Sequence, residues 1–235
     1  MSLFKRKPKP PKPPRTVSVF REYFELIAET LVYVFFIMTF LLQSFVIPSG
    51  SMEDTMLIGD HLLVDKVAYS RSLTPLERVI FPQEKIKRGM IVTFKAPPDM
   101  EKEYVKRVIG MPGDVIKIVD KKVYIDGTLL VEPYVYFKDS NIENSYRDNF
   151  PSYRVPENYY FCMGDNRDRS YDSRFWGPVP ADYVIGKPWR IYWSYESTSS
   201  EYLTPGVWNK VKDIFQTVIN FFSKTRWSRT IKKIT

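Results

Sequence analysis

From Thr30 to Ile47 the chain carries no charged residue. As a helix rising 1.5 Å per residue, that stretch would be about 27 Å long, close to the hydrocarbon thickness of a bilayer. A core helix of a soluble domain is rarely apolar on every face. Glu25 and Glu29 stand at its N-terminal edge, where headgroups and the positive helix end tolerate them. Ahead of it lie Lys5, Arg6, Lys7, Lys9, Lys12 and Arg15, interrupted by prolines at 8, 10, 11, 13 and 14. Such a segment is extended and has almost nothing to bury. A basic, apolar, small-residue order also describes a cleavable export signal, but this apolar run exceeds the roughly 7–15 residues usual there. The reading is a cytoplasmic basic tail over 1–24 and a permanent single-pass anchor over 25–47. The charge bias then puts the rest of the chain on the far side of the membrane.

At 235 residues the chain holds one ordinary domain, or one domain and a small insert. Its net charge of +8 implies an anionic partner. Because the basic clusters flank an anchor and an apolar C-terminal segment, phospholipid is favoured and nucleic acid is not. One cysteine, Cys162, allows no intramolecular disulfide. After the anchor, short apolar runs alternate with turn signals: 61–64, 90–94, 104–109, 115–119 and 183–193 read as strands. Val123 to Ile125 and Thr128 to Leu130 flank Asp126-Gly127, a two-residue hairpin signal. Residues 70–88 read as a loop or an excursion from the sheet. The body is therefore mainly antiparallel β. Beyond it, Val207, Trp208, Val211, Ile214, Phe215, Val218, Ile219 and Phe222 recur at helical spacing, with Arg226, Arg229, Lys232 and Lys233 following. That amphipathic helix, within 206–235, either packs on the body or lies in an anionic bilayer interface.

Four positions past Ile47 comes Ser51, in Pro48-Ser49-Gly50-Ser51-Met52. A serine nucleophile needs a base. The one histidine, His61, opens a strand as a polar residue facing water, and a single histidine excludes a two-histidine zinc motif. Cys162, beside Tyr160 and Phe161, reads as a packed thiol. Lysine remains. An ordinary lysine is protonated at pH 7, and burial is what lowers its pKa. Lys106 lies among Tyr104, Val105, Val108 and Ile109. Its neighbour Arg107 points the opposite way in a strand, so one of the two faces inward, and the lysine, able to shed its proton, is cheaper to bury. Residues Gly164 to Arg174 read GDNRDRSYDSR; the spacing does not fit a calcium loop, and alternating charges imply pairing within the segment.

SGSM after an anchor, YVKRVIGMPGD, and MGDNRDRSYDSRFWG together resemble the type I signal peptidases, over residues 30–117 and 159–193. The resemblance implies an antiparallel β catalytic core (48–117 and 159–205) with an inserted small β subdomain (118–158). It implies Ser51 as nucleophile and Lys106 as general base. Ser49, with the Ser51 N–H, would form the oxyanion hole, and Ser170 would orient the lysine. Asp165, Asp172 and Arg174 would support the site. The implied partners are signal peptides of exported preproteins, with no cofactor and no metal, in a cell membrane with the catalytic domain on the periplasmic or extracellular side. Two other readings are a self-cleaving repressor-like Ser-Lys protease, which would carry a DNA-binding head where this chain has an anchor, and an inactive membrane-tethered scaffold, which would be expected to lose Ser51 or Lys106.

Overall fold

The computed structural model describes residues 18–69, 83–97, 99–198 and 207–234, with single positions at 74, 76 and 79; over 207–212 it describes the backbone alone. The basic tail to residue 17, much of the 70–88 loop, and the side chains of Val207, Trp208 and Val211 lie outside the described residues. The chain divides into two units, Met1–Ile37 and Met38–Thr235.

In the first unit, helix α1 (Val19–Phe36) begins at Ser18, whose hydroxyl caps the Arg21 N–H. No side chain on it is buried, so apolar groups face outward all round. With a π-helical turn, Ile37–Leu41, the helical stretch Val19–Leu41 is long and apolar enough to cross a membrane.

The expected anchor boundary at 47 is corrected. The helical stretch ends at Leu41, and Leu42–Val46 form strand β1, paired antiparallel with β2 (Asp60–Asp65) from Leu42↔Asp65 to Val46↔His61. A strand packed on a sheet can be as apolar as a membrane helix, so composition alone merged the two. Then follow β3 (Ile91–Ala96), β4 (Asp99–Gly110), β5 (Val115–Val119), β6 (Lys122–Ile125), β7 (Thr128–Leu129), β8 (Phe150–Arg154) and β9 (Tyr159–Met163). A single-turn helix α2 (Ser173–Trp176), β10 (Val179–Pro180), β11 (Val184–Ser194), α3 (Val207–Ile219), α4 (Phe221–Lys224) and β12 (Lys232–Lys233) complete the chain.

Two antiparallel sheets result. The larger runs β1-β2-β11-β3-β4-β9-β10, with β12 also on β11; the smaller runs β7-β6-β5-β8. The expected insert boundary at 118 would cut β5, which belongs wholly to the smaller sheet, so that sheet spans Val115–Arg154. The Asp126-Gly127 hairpin forms as expected, both residues at positive φ. Across the larger sheet, Gln43 of β1 donates to the Glu103 carboxylate of β4 at 2.9 Å, linking strands that are not neighbours in the ladder. Ile109, Ile116, Val123, Phe161 and Met163 join the two sheets in one apolar cluster. A second cluster, Ile47, Met52, Met56, Leu62, Ile91, Val105 and Ile191, lies on both sides of Ser51 in sequence and fixes its loop on the larger sheet.

Candidate active site

Ser51 sits in a one-turn 3-10 helix, Gly50–Met52, inside a loop closed at its base: the Ile47 N–H donates to the Asp60 carbonyl and the Gly59 N–H to the Ile47 carbonyl, both at 2.9 Å. Met52, 1% exposed, anchors the turn in the core and leaves Ser51 half-buried at its edge. Lys106, in the middle of β4, is 4% exposed, and its Nζ donates to Ser51 Oγ at 2.5 Å. Burial lowers its pKa from 10.5 to about 8, against the opposing pull of Asp172 and Asp165. An amine so placed is partly deprotonated near neutral pH and can accept the hydroxyl proton.

The expectation that only one of Lys106 and Arg107 turns inward is corrected. They do point to opposite faces, yet Arg107 is also buried, at 5% exposure. Its charge is compensated by a fork of two bonds to Asp165 (Nε–Oδ1 2.8 Å, Nη2–Oδ2 2.7 Å), while Nη1 donates to the Gly89 carbonyl and the guanidinium lies 3.9 Å over the Tyr134 ring. Asp165 also accepts from Thr55 Oγ at 2.6 Å, tying the strand of the lysine to the loop of the serine.

The Gly164–Arg174 segment is the third wall. Asp172 and Arg174 form a fully buried pair through two bonds of 2.9 Å, and Asp172 also accepts the Gly164 N–H. Burial pushes the Asp172 carboxyl up, but the adjacent Arg174 charge and these hydrogen bonds outweigh it, and the acid stays below its ordinary range. Pairing within the segment was expected throughout and holds for that pair alone. Arg167 instead pairs with Glu132, in the 130–139 stretch that folds over this segment, and Asp168 pairs with Lys121 of the turn between β5 and β6. Tyr136 exchanges backbone bonds with Asp165 and Arg167 there.

Asn166 was not singled out by sequence reasoning. Its N–H donates to the Ser51 carbonyl at 3.2 Å, and its Nδ2 to the Gly50 carbonyl and to Glu53. Position in the motif was the available signal for it, and for Arg107 its place beside the lysine. Ser49 is exposed in extended backbone, open to an incoming group. Ser170 is buried close by. A Cβ built on Gly164 would lie 2.3 Å from Ser170 Oγ and 2.4 Å from the Ser51 carbonyl oxygen, so these two close in on one backbone point. Among the described residues the Ser170 hydroxyl meets no partner in full hydrogen-bond geometry, although it lies near enough to Asp172 to help lower the pKa of that acid, and Lys106 Nζ donates to Ser51 instead. His61 does not simply face water: its ring stacks on Trp193 at 4.7 Å, and burial lowers its pKa. Cys162 is packed within the core, as expected. No cluster of candidate metal ligands occurs among the described residues.

The family described as signal peptidase, peptidase S26, matches residues 20–193, a span that takes in β1, the Ser51 loop, β4 and the Gly164–Arg174 segment. The chain belongs to that family. Signal peptidase I of Pseudomonas fluorescens is 31% identical over 77% of this chain and 75% of its own length. That of Pseudomonas aeruginosa is 32% identical over 74% and 72%. That of Aquifex aeolicus is 30% identical over 79% and 88%. As a signal peptidase relative, this chain is a serine endopeptidase with mainly antiparallel β architecture and an N-terminal apolar helix suited to membrane anchoring.

Proposed function

We propose that this signal peptidase cuts signal peptides from exported preproteins with a Ser51–Lys106 dyad. The observation that carries the reading is the 2.5 Å contact between Lys106 Nζ and Ser51 Oγ in a site where burial holds the amine near pKa 8. Lys106 takes the Ser51 proton as Oγ attacks the scissile carbonyl. The oxyanion that forms is held by the Ser51 N–H and the exposed Ser49 hydroxyl. The ammonium then protonates the departing amine, leaving an acyl-enzyme on Ser51. Water hydrolyses that ester, with Lys106 as base again. Ser170, its Oγ buried beside the Ser51 backbone, orients the lysine amine once the serine proton has moved. Asp172–Arg174 and Arg107–Asp165 hold the walls in place.

The substrate reaches the dyad as an extended chain. Among the described residues β1 ladders only with β2, so its other edge is open to an added strand a few residues before Ser51. The helical stretch Val19–Leu41 anchors the enzyme with the basic tail in the cytoplasm and Leu42 onward outside. Phospholipid is also met by the C-terminal segment. There Ile214, Phe215, Val218, Ile219, Phe222 and Trp227 are exposed, with Lys224, Lys232 and Lys233 nearby in sequence. This favours the interfacial alternative for α3.

Cleavage of a purified preprotein, with the product N-terminus sequenced, tests the reading. Ser51→Ala and Lys106→Met should each abolish it, and the double variant should be scarcely worse than either. Lys106→Arg should fail as well, since a guanidinium is no base at working pH. Substantial cleavage by folded Lys106→Met would overturn the dyad.

A further inference from the structure

Asp60 closes the base of the Ser51 loop, and its carboxylate is fully buried. It accepts from the Leu57 N–H at 2.8 Å and from Ser194 Oγ at 2.6 Å. Its charge is met from the far end of the chain: Arg229 Nη2 donates to Oδ2 at 2.5 Å and Nε to Oδ1 at 3.3 Å, with Arg226 Nη1 at 3.7 Å. Arg229 Nη2 donates further to the Thr55 carbonyl at 3.1 Å, and Arg226 Nη2 to the Ile58 and Tyr195 carbonyls. One guanidinium therefore spans the base of the loop and its middle. From Thr55 the path continues through Oγ to Asp165, and from Asp165 to Arg107, next to the base on β4. The C-terminal strap is held in turn by β12 on β11 and by Ile234 against the cluster around Met52.

We propose that Arg229 is a positioning residue for Ser51, setting the loop between Ile47 and Asp60 at the distance from β4 that the dyad requires. This rests on Ser51 being the nucleophile. The physical ground is that Met52 and Met56, on either side of the braced carbonyl, are buried, so the loop moves as one piece. Without the second bond from Arg229, the Thr55 carbonyl loses that partner and Thr55 is held only through its Oγ, by Asp165 and, at 3.5 Å, by Arg107 Nη2. Displacement of a nucleophile by about 1 Å can cost about 100-fold in rate. Arg226 contacts the loop at Ile58 but not at Thr55, and acts mainly on its base.

Arg229→Lys separates positioning from mere stability. A lysine keeps the Asp60 carboxylate paired, but its Nζ ends one bond short of the Nη2 that donates to both groups, so it cannot hold Asp60 and Thr55 together. In the full-length detergent-solubilised enzyme it should leave the melting temperature near that of the wild type. It should lower kcat about tenfold or more with KM within about twofold, and the acidic limb of the pH profile, set by Lys106, should not move. The pair Asp60→Asn/Arg229→Gln, which removes both charges, should likewise fold and remain slow. Wild-type kcat in Arg229→Lys, or recovery of kcat together with stability in the double variant, would overturn the proposal. Mass-spectrometric mapping of a serine-directed acylating inhibitor separates the two claims: absence of label on Ser51 in the wild type refutes the nucleophile, whereas Ser51 labelled at the wild-type rate in Arg229→Lys refutes only the positioning.

Discussion

Replacing Lys106 with methionine should inactivate the protein and also make it more stable at neutral pH. The pKa of Lys106 falls from 10.5 to about 8 on burial, so the folded state binds its proton less readily than the unfolded chain does. Below pH 8 the buried amine is protonated and the whole cost of that shift weighs on the fold. As pH rises from 8 toward 10.5 the folded amine is neutral while the unfolded one still binds a proton, so wild-type stability climbs. Above 10.5 both are neutral and the cost is gone. At 1.36 kcal/mol per unit the shift corresponds to about 3 kcal/mol. Methionine has no charge to bury and a similar length, but forfeits the bond to Ser51, worth about 1 kcal/mol. The net gain of about 2 kcal/mol would raise the melting temperature by about 4–8 °C in a chain of this size. Tryptophan fluorescence melts of both full-length proteins in the same detergent, from pH 6.5 to 10.5, give the difference directly, and titrations common to both cancel. It should be largest at the acid end and close as pH rises. A difference that is constant with pH, or a variant that melts lower at pH 7, would refute the burial argument for the base.

Gly164→Ala should cost about 1–3 kcal/mol and nearly all activity, because the added Cβ meets the Ser51 carbonyl oxygen at 2.4 Å, a backbone atom that cannot swing aside. Cleavage assays and melts against Gly127→Asn, an open hairpin position where nothing lies within 4 Å, supply the contrast; an active Gly164→Ala would contradict the close approach. Cys162 should resist thiol reagents until the protein unfolds, since burial leaves no access and pushes its thiol pKa up. Labelling of the native protein at the rate of a free thiol would show that β9 opens readily.

Much of the site was legible because its chemistry demands rare combinations. A lysine in an apolar strand and a serine just after an uncharged run are unusual enough to stand out, and Lys106 and Ser51 do meet. The β6–β7 hairpin was legible because Asp126-Gly127 is suited to the positive φ its turn needs. What stayed hidden was hidden for physical reasons. Strand β1 is as apolar as the helix before it, so hydropathy could not place the break at Leu41. Strands β8 and β9 lacked punctuation strong enough to separate them from loops. Arg107 was misjudged because burial of a cation depends on its partner, and Asp165 is 58 positions away in sequence. The outward pairing of Arg167 with Glu132 and of Asp168 with Lys121 likewise depends on residues that local patterning does not connect to them.

The back-to-back placement of Lys106 and Arg107 also guards strand register during folding. Side chains alternate across a strand, so a slip of β4 by one residue against β3 would exchange their faces. The guanidinium would then enter the apolar side that the amine tolerates only by losing its proton. The ammonium would face Asp165, without the fork that satisfies both carboxylate oxygens. An arginine cannot neutralise itself, and a buried ion left unpaired costs several kcal/mol. Two adjacent residues thereby make the misaligned sheet unstable rather than merely inactive, and incorrectly registered molecules are discouraged before any substrate arrives.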